Sequence, residues 1–193
     1  MKPSVTDNFK QVGEVSSGGM GLVEPERVNL GLEGHLFAEM RYSNGQIEVR
    51  DLGKNIITTS ASILLARLMR NNADPAYGAY ALAVGLGAIG IDPQNPPPAT
   101  AAQTQLANEL TRKTFQSVNF INGNSVSGTP TNVLDLTTFF AESEAVGALT
   151  EMGLVGGDAS LTANTGTLIN YRTFPVINKP ATATLTITWR LSF

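Results

Sequence analysis

Residues 182–193 constrain the fold more than any other stretch of this chain. Ala183, Leu185, Ile187, Trp189, Leu191 and Phe193 alternate with Thr182, Thr184, Thr186, Thr188, Arg190 and Ser192. Strict alternation is the period of a β-strand, whose successive side chains point to opposite faces. One face is wholly apolar and the other rich in threonine. That pattern belongs to a sheet with one face on a core and one in water. Phe193 is still in phase, which predicts that the C-terminal end is built into the sheet.

The rest of the chain from Thr111 reads the same way. Candidate strands at 112–121, 133–141, 147–155 and 167–174 are separated by turn clusters such as Asn122-Gly123-Asn124 and Gly156-Gly157-Asp158. Several short strands with such breaks predict a sandwich or barrel. Upstream, Leu36, Ala38 and Met40 alternate with Phe37, Glu39 and Arg41. Ser43-Asn44-Gly45-Gln46 supplies a turn with an Asn-Gly core, and Ile47 and Val49 alternate with Glu48 and Arg50. This predicts a hairpin over 36–51 with a charged far face, which projects or edges a sheet. Residues 60–71 predict the one helix, capped by Thr59 or Ser60, with Ile63, Leu64, Leu68 and Met69 on a sheet-facing side. Arg67 and Arg70 oppose its dipole, and Asn71-Asn72-Ala73-Asp74-Pro75 ends it. Tyr80–Val84 is a short buried strand and 85–102 a long loop, followed by a brief helical turn at 103–110. Residues 1–34 hold scattered Gly and Pro with no sustained period. They read as an extended N-terminal arm ahead of a β-sandwich domain at 35–193.

Composition removes whole classes of chemistry. With 193 residues the chain suits one main domain. There is no Cys, so disulfide scaffolds, thiolate metal sites and Cys nucleophiles are excluded. A single histidine, His35, excludes a His-pair metal site within one chain, and nothing around it marks a catalytic base. The net charge of −3 argues against nucleic acid as the partner. The N-terminus has no apolar run that would read as a signal peptide, and 79–91 is too short and Gly-rich to span a membrane. Only 15% of residues are charged. No Lys or Arg falls between Lys113 and Arg172, where Asp135, Glu142, Glu144, Glu151 and Asp158 do. A β-rich surface so poor in charge suits coverage by partner subunits.

The motifs that could carry chemistry are weak. Gly85-Leu86-Gly87-Ala88-Ile89-Gly90 has the spacing of a dinucleotide-binding turn after a strand. The proline-rich run that follows cannot form the helix whose N-terminus would hold the pyrophosphate. These glycines read instead as a strand's exit into a loop. Ser16-Ser17-Gly18-Gly19-Met20-Gly21 lacks the Gly-Lys-Ser/Thr of a phosphate loop and reads as a joint in the arm. Glu142 and Glu144 share a face if 139–146 is extended, which would suit paired-carboxylate chemistry or Ca²⁺; the commoner reading is an exposed acidic strand end. Asp135 and Asp158 have no calcium-loop spacing. The aromatics, Trp189 included, fall in strand patterns and read as core. No catalytic, cofactor or metal residue is assigned.

The order of several short segments resembles the virion structural proteins of tailed bacteriophages. They are Asn55-Ile56-Ile57, Ala81-Leu82-Ala83-Val84-Gly85, Ala107-Asn108-Glu109-Leu110-Thr111-Arg112, Glu151-Met152-Gly153-Leu154, Tyr171-Arg172-Thr173-Phe174, Ile177-Asn178-Lys179 and Leu185–Leu191. The resemblance covers about 52–193 and implies a jelly-roll-like β-sandwich that binds rather than catalyses. It implies a capsid decoration (cement) protein, a homotrimer on the shell that bridges major capsid protein subunits. A tail, baseplate or fibre-adaptor subunit is the alternative, and a carbohydrate-binding module using Glu142 a further one. The arm and the 36–51 hairpin are the expected contact elements.

Overall fold

The computed structural model describes residues 31–70 and 77–193. The order is β1 (Glu33–Tyr42), β2 (Ile47–Lys54), β3 (Ile56–Ile57), α1 (Thr59–Arg70), β4 (Tyr77–Gly85), β5 (Glu109–Thr114), β6 (Ser117–Asn122), β7 (Ser125–Ser127), β8 (Val133–Phe140), β9 (Gly147–Gly157), β10 (Thr167–Lys179) and β11 (Ala183–Ser192). These form two antiparallel sheets, in the orders β2-β1-β11-β8-β6-β7 and β3-β10-β9-β4-β5. The chain is mainly β, a sandwich with one helix among the described residues.

The strand with the clearest alternation lies at the centre of the six-stranded sheet. Its apolar side from Ala183 to Leu191 is buried. β1 and β8 flank it, with Leu36 and Leu136 in register on either side of Trp189. From the other sheet, Leu82, Val84, Leu149, Met152, Leu154 and Ile177 complete the core between the layers. The backbone at Phe193 is tied to Asn132, but its side chain stands 51% exposed beyond the last strand position.

Five sequence expectations are corrected. The expected strand at 112–121 is two strands in different sheets, because the chain turns a corner at Phe115-Gln116 and crosses between layers. The helical turn expected at 103–110 is absent. There Leu106 is buried in a second apolar cluster, and the Ala107 and Asn108 N–H groups bond to a carboxylate instead of to carbonyls one turn back. The helix cap is Thr58, whose hydroxyl accepts from Ala61 N–H and donates to Leu168 C=O. Of the helix's expected apolar face, Leu64 is buried with Ala61, while Ile63 is 61% exposed. Finally, the arm gives way to the sheet one residue pair early, since Glu33 and Gly34 already belong to β1. The rest of the arm at 1–30, including Ser16–Gly21, and the helix-ending run 71–75 lie outside the described residues.

The loop 86–108 covers the outer face of the five-stranded sheet. With Ala81, Ala83, Val155, Leu168 and Tyr171, its Leu106 forms the second cluster, so β9 is buried on both sides. Three prolines and a bulge stitch its middle in place. β10 carries extra residues around Phe174-Pro175 relative to β9, a position where proline costs no ladder bond. There Val176 N–H donates to Pro93 C=O and Thr173 Oγ1 to Pro97 C=O.

Candidate interaction surface

The residues that a catalytic reading would use are dispersed. Glu142 and Glu144 do not share a strand face, because β8 ends at Phe140 and 141–145 is a turn closed by Glu144 N–H on Ala141 C=O. Glu142 is exposed, whereas Glu144 pairs with Lys113 and caps Ala141 N–H. Asp135 forms a two-pronged ion pair with Arg190 at 2.7 and 2.8 Å, and Asp158 stands exposed. His35 bonds Asp51 and stacks on Phe37, with ring centroids 4.6 Å apart. Among the described residues no three His, Asp or Glu side chains converge on a metal position. No helix there is long and apolar enough to cross a membrane.

The Lys113 ammonium, aided by Ala141 N–H, holds the Glu144 carboxyl below the usual carboxylate range. A lowered folded-state value stabilises above the unfolded value, near 4.5, and that contribution fades as pH falls through the folded value. The pair is about 40% exposed, so screening keeps the effect small. Glu144→Gln is therefore expected to lower the melting temperature by roughly 1–3 °C at neutral pH. Thermal scans should show the two proteins converging well below pH 4.5, and a gap that widens in acid would refute the assignment.

Buried charge is plentiful, and partners distant in sequence satisfy it. Glu151 is fully buried and accepts four hydrogen bonds: Gly87 N–H at 3.2 Å, Asn108 N–H at 2.8 Å, Ala107 N–H at 2.9 Å and the Tyr171 hydroxyl. These fill the acceptor capacity of a carboxylate. Burial first, and then the bond to Glu151, pushes the Tyr171 phenol far up, so it stays a donor. Glu109 and Arg112 form a buried pair, and Arg112 also holds Ser160 C=O and Thr165 C=O of the β9–β10 loop. Lys179 donates to Ala141, Glu142 and Ala183 carbonyls at 3.0, 2.9 and 2.7 Å. Burial pulls its ammonium below the ordinary lysine value, with Glu144 and Glu142 opposing. Each of these groups has its bonding spent on holding a loop, which leaves no free acid, base or nucleophile in them.

The Gly85-Leu86-Gly87-Ala88-Ile89-Gly90 run serves the same clamp. A side chain at Gly85 would strike the Glu151 carboxylate and Asn108 C=O, and Gly87 adopts φ +75° against Thr150. No helix follows it before β5.

What the fold does expose is the outer side of the β1–β2 hairpin. Its turn has three residues rather than the two of a simple Asn-Gly hairpin. Gly45 N–H returns to Tyr42 C=O, Tyr42 N–H meets Gln46 C=O, and Gly45 sits at φ +87°. The extra residue shifts the register by one, so Met40 faces Glu48 and Ala38 faces Arg50. A one-residue shift sends every side chain to the opposite face. Ile47 and Val49 therefore point outward, 51% and 67% exposed, alongside Phe37 and the Glu39–Arg41 pair. Glu48 and Arg50 turn inward, where they pair with each other and Arg50 reaches Val176 C=O. The hairpin does edge a sheet, but its outer face is mixed rather than charged. Phe139, in the same cross-strand row as Val49, adds a further exposed ring. These surface aromatics, with Tyr80, correct the expectation that all aromatics lie in the core.

Compared with known proteins, the chain matches no family model and no curated sequence.

Proposed function

We propose that this chain is a structural subunit of a tailed-bacteriophage virion, and specifically a capsid decoration protein. In this reading it binds the assembled shell as a homotrimer and ties neighbouring capsid subunits together. The observation that supports it most is the inverted hairpin. Facing Glu48 and Arg50 inward while Ile47, Val49 and Phe37 face water is a poor solution for an isolated domain. It becomes a good one if a partner covers the outer face, because apolar area removed from water contributes about 25 cal/mol per Å². Many weak copies on one shell then act together through effective concentration.

The deciding experiment locates and counts the protein. Electron microscopy of the particle that contains it, with copy number from quantitative mass spectrometry, is expected to find hundreds of copies on the capsid. Co-purification with detached tails would overturn the capsid assignment in favour of a tail or baseplate subunit. Absence from particles would overturn the virion reading altogether. A second test addresses the surface. The double variant Ile47→Ser, Val49→Ser is expected to keep its melting temperature within a few degrees, since both side chains are exposed. Its binding to emptied shells should drop at least tenfold; undiminished binding would exclude the hairpin as the contact.

A further inference from the structure

We infer that the groove beneath the proline loop is a binding site for an extended peptide segment bearing an acidic side chain. The inference does not depend on the virion reading. Two adjoining hollows lie between the loop and β10, of about 140 and 350 Å³. They share Pro96, Pro98 and Thr173 in their walls. Three observations point to a ligand and to its chemistry.

First, the edge of β10 is open here. β3 pairs with β10 only at Asn170 and Tyr171, and the proline loop rejoins it at Val176 N–H. Between these attachments, residues 172–175 line the larger hollow, and among the described residues no strand pairs with them on the side away from β9. An open edge recognises extended backbone by adding a strand. Second, Thr150 is among the residues lining the smaller hollow, and its hydroxyl is fully buried with no hydrogen-bond partner. A buried hydroxyl left unpaired carries an uncompensated desolvation cost, which a bound amide would offset. The proline rings and Ile91 around it leave room for a small apolar side chain. Third, Arg172 is the only charged residue among the described ones that line either hollow. Its Nε is used by Leu52 C=O, while its two terminal nitrogens have no hydrogen bond among the described residues. Asp51 feels its charge from a distance but does not bond it. A guanidinium with free terminal donors beside an open strand edge favours a carboxylate.

The test titrates the full-length ¹⁵N-labelled protein with the acetylated, amidated pentapeptide Ser-Val-Asp-Val-Ser and with its Asn counterpart. The acidic peptide is expected to shift the Tyr171, Arg172, Thr173 and Gly87 amides and to bind about tenfold tighter than the Asn peptide. Arg172→Gln should abolish that preference while Arg172→Lys keeps most of it, so a folding defect is distinguishable from lost charge recognition. Thr150→Val should weaken both peptides severalfold without lowering the melting temperature. Equal binding of the two peptides, an Arg172→Gln protein that still prefers the acidic one, or no shift at these amides at millimolar peptide would each overturn the proposal.

Discussion

Replacing Glu151 by alanine is expected to destabilise the protein by about 4 kcal/mol and to lower its melting temperature by on the order of 10 °C. The carboxylate is the single point where both ends of the 86–108 loop meet the sheet. Gly87 lies at the loop's start, Ala107 and Asn108 at its end, and Tyr171 on the neighbouring strand. Hydrogen bonds to a charged acceptor contribute about 1.5–3 kcal/mol each, and removing the acceptor leaves all four donors unpaired. Water entering the vacated space recovers part of this, which is why the expected loss is less than the sum. Glu151→Gln should be nearly as damaging, because its amide nitrogen would face N–H groups that also donate. The loss should be local in its first step. Hydrogen exchange is expected to accelerate across 86–108 before it does in β11. Glu142→Ala, an exposed control, should stay within about 0.5 kcal/mol of the parent in urea unfolding. A Glu151→Ala protein that loses less than about 1 kcal/mol would show that the loop is held by other means.

How far the sequence revealed this arrangement depends on the distance over which each feature is decided. Alternation in β11 is local, and it correctly gave five buried positions from Ala183 to Leu191. The helix was legible to within a residue for the same reason. The hairpin was visible in Asn44-Gly45, but not its register, because two- and three-residue turns use the same dipeptide. That single ambiguity decided which of Ile47 and Glu48 faces water. The corner at Phe115-Gln116 was invisible because both halves alternate like one strand. Glu151 was beyond reach in a different way. Its loop partners lie 43 to 64 residues away in sequence, so only the folded chain brings them together. A signal was nonetheless present: a charged residue inside the apolar run from Leu149 to Val155 must find partners if the run is buried. Glu109, Arg112, Tyr171 and Lys179 fall in the same short segments that suggested the phage resemblance. In this molecule those residues hold loops, so they speak to fold before they speak to activity.

Trp189→Ala is the second large effect, expected to cost about 3–5 kcal/mol. Trp189 is fully buried in the central strand of its sheet, between Leu36 and Leu136. Its indole N–H donates to Asn55 Oδ1 at 3.0 Å, where the chain leaves the hairpin for α1. Two separate losses are therefore combined in the alanine variant, and Trp189→Phe divides them. Phenylalanine keeps most of the apolar volume but leaves Asn55 Oδ1 without its donor, beside an Nδ2 that already has no partner. That loss is expected to be about 1–3 kcal/mol, so the phenylalanine variant should unfold between parent and alanine in a denaturant series followed by circular dichroism. The parent's only tryptophan should emit at short wavelength when folded and shift red on unfolding, an internal check on burial. A domain of this size has about 5–15 kcal/mol in reserve. Trp189→Ala should thus consume a large share of it, and expression mainly as aggregate would agree with that loss. A soluble Trp189→Ala protein within about 1 kcal/mol of the parent would contradict the packing of the two sheets across this residue.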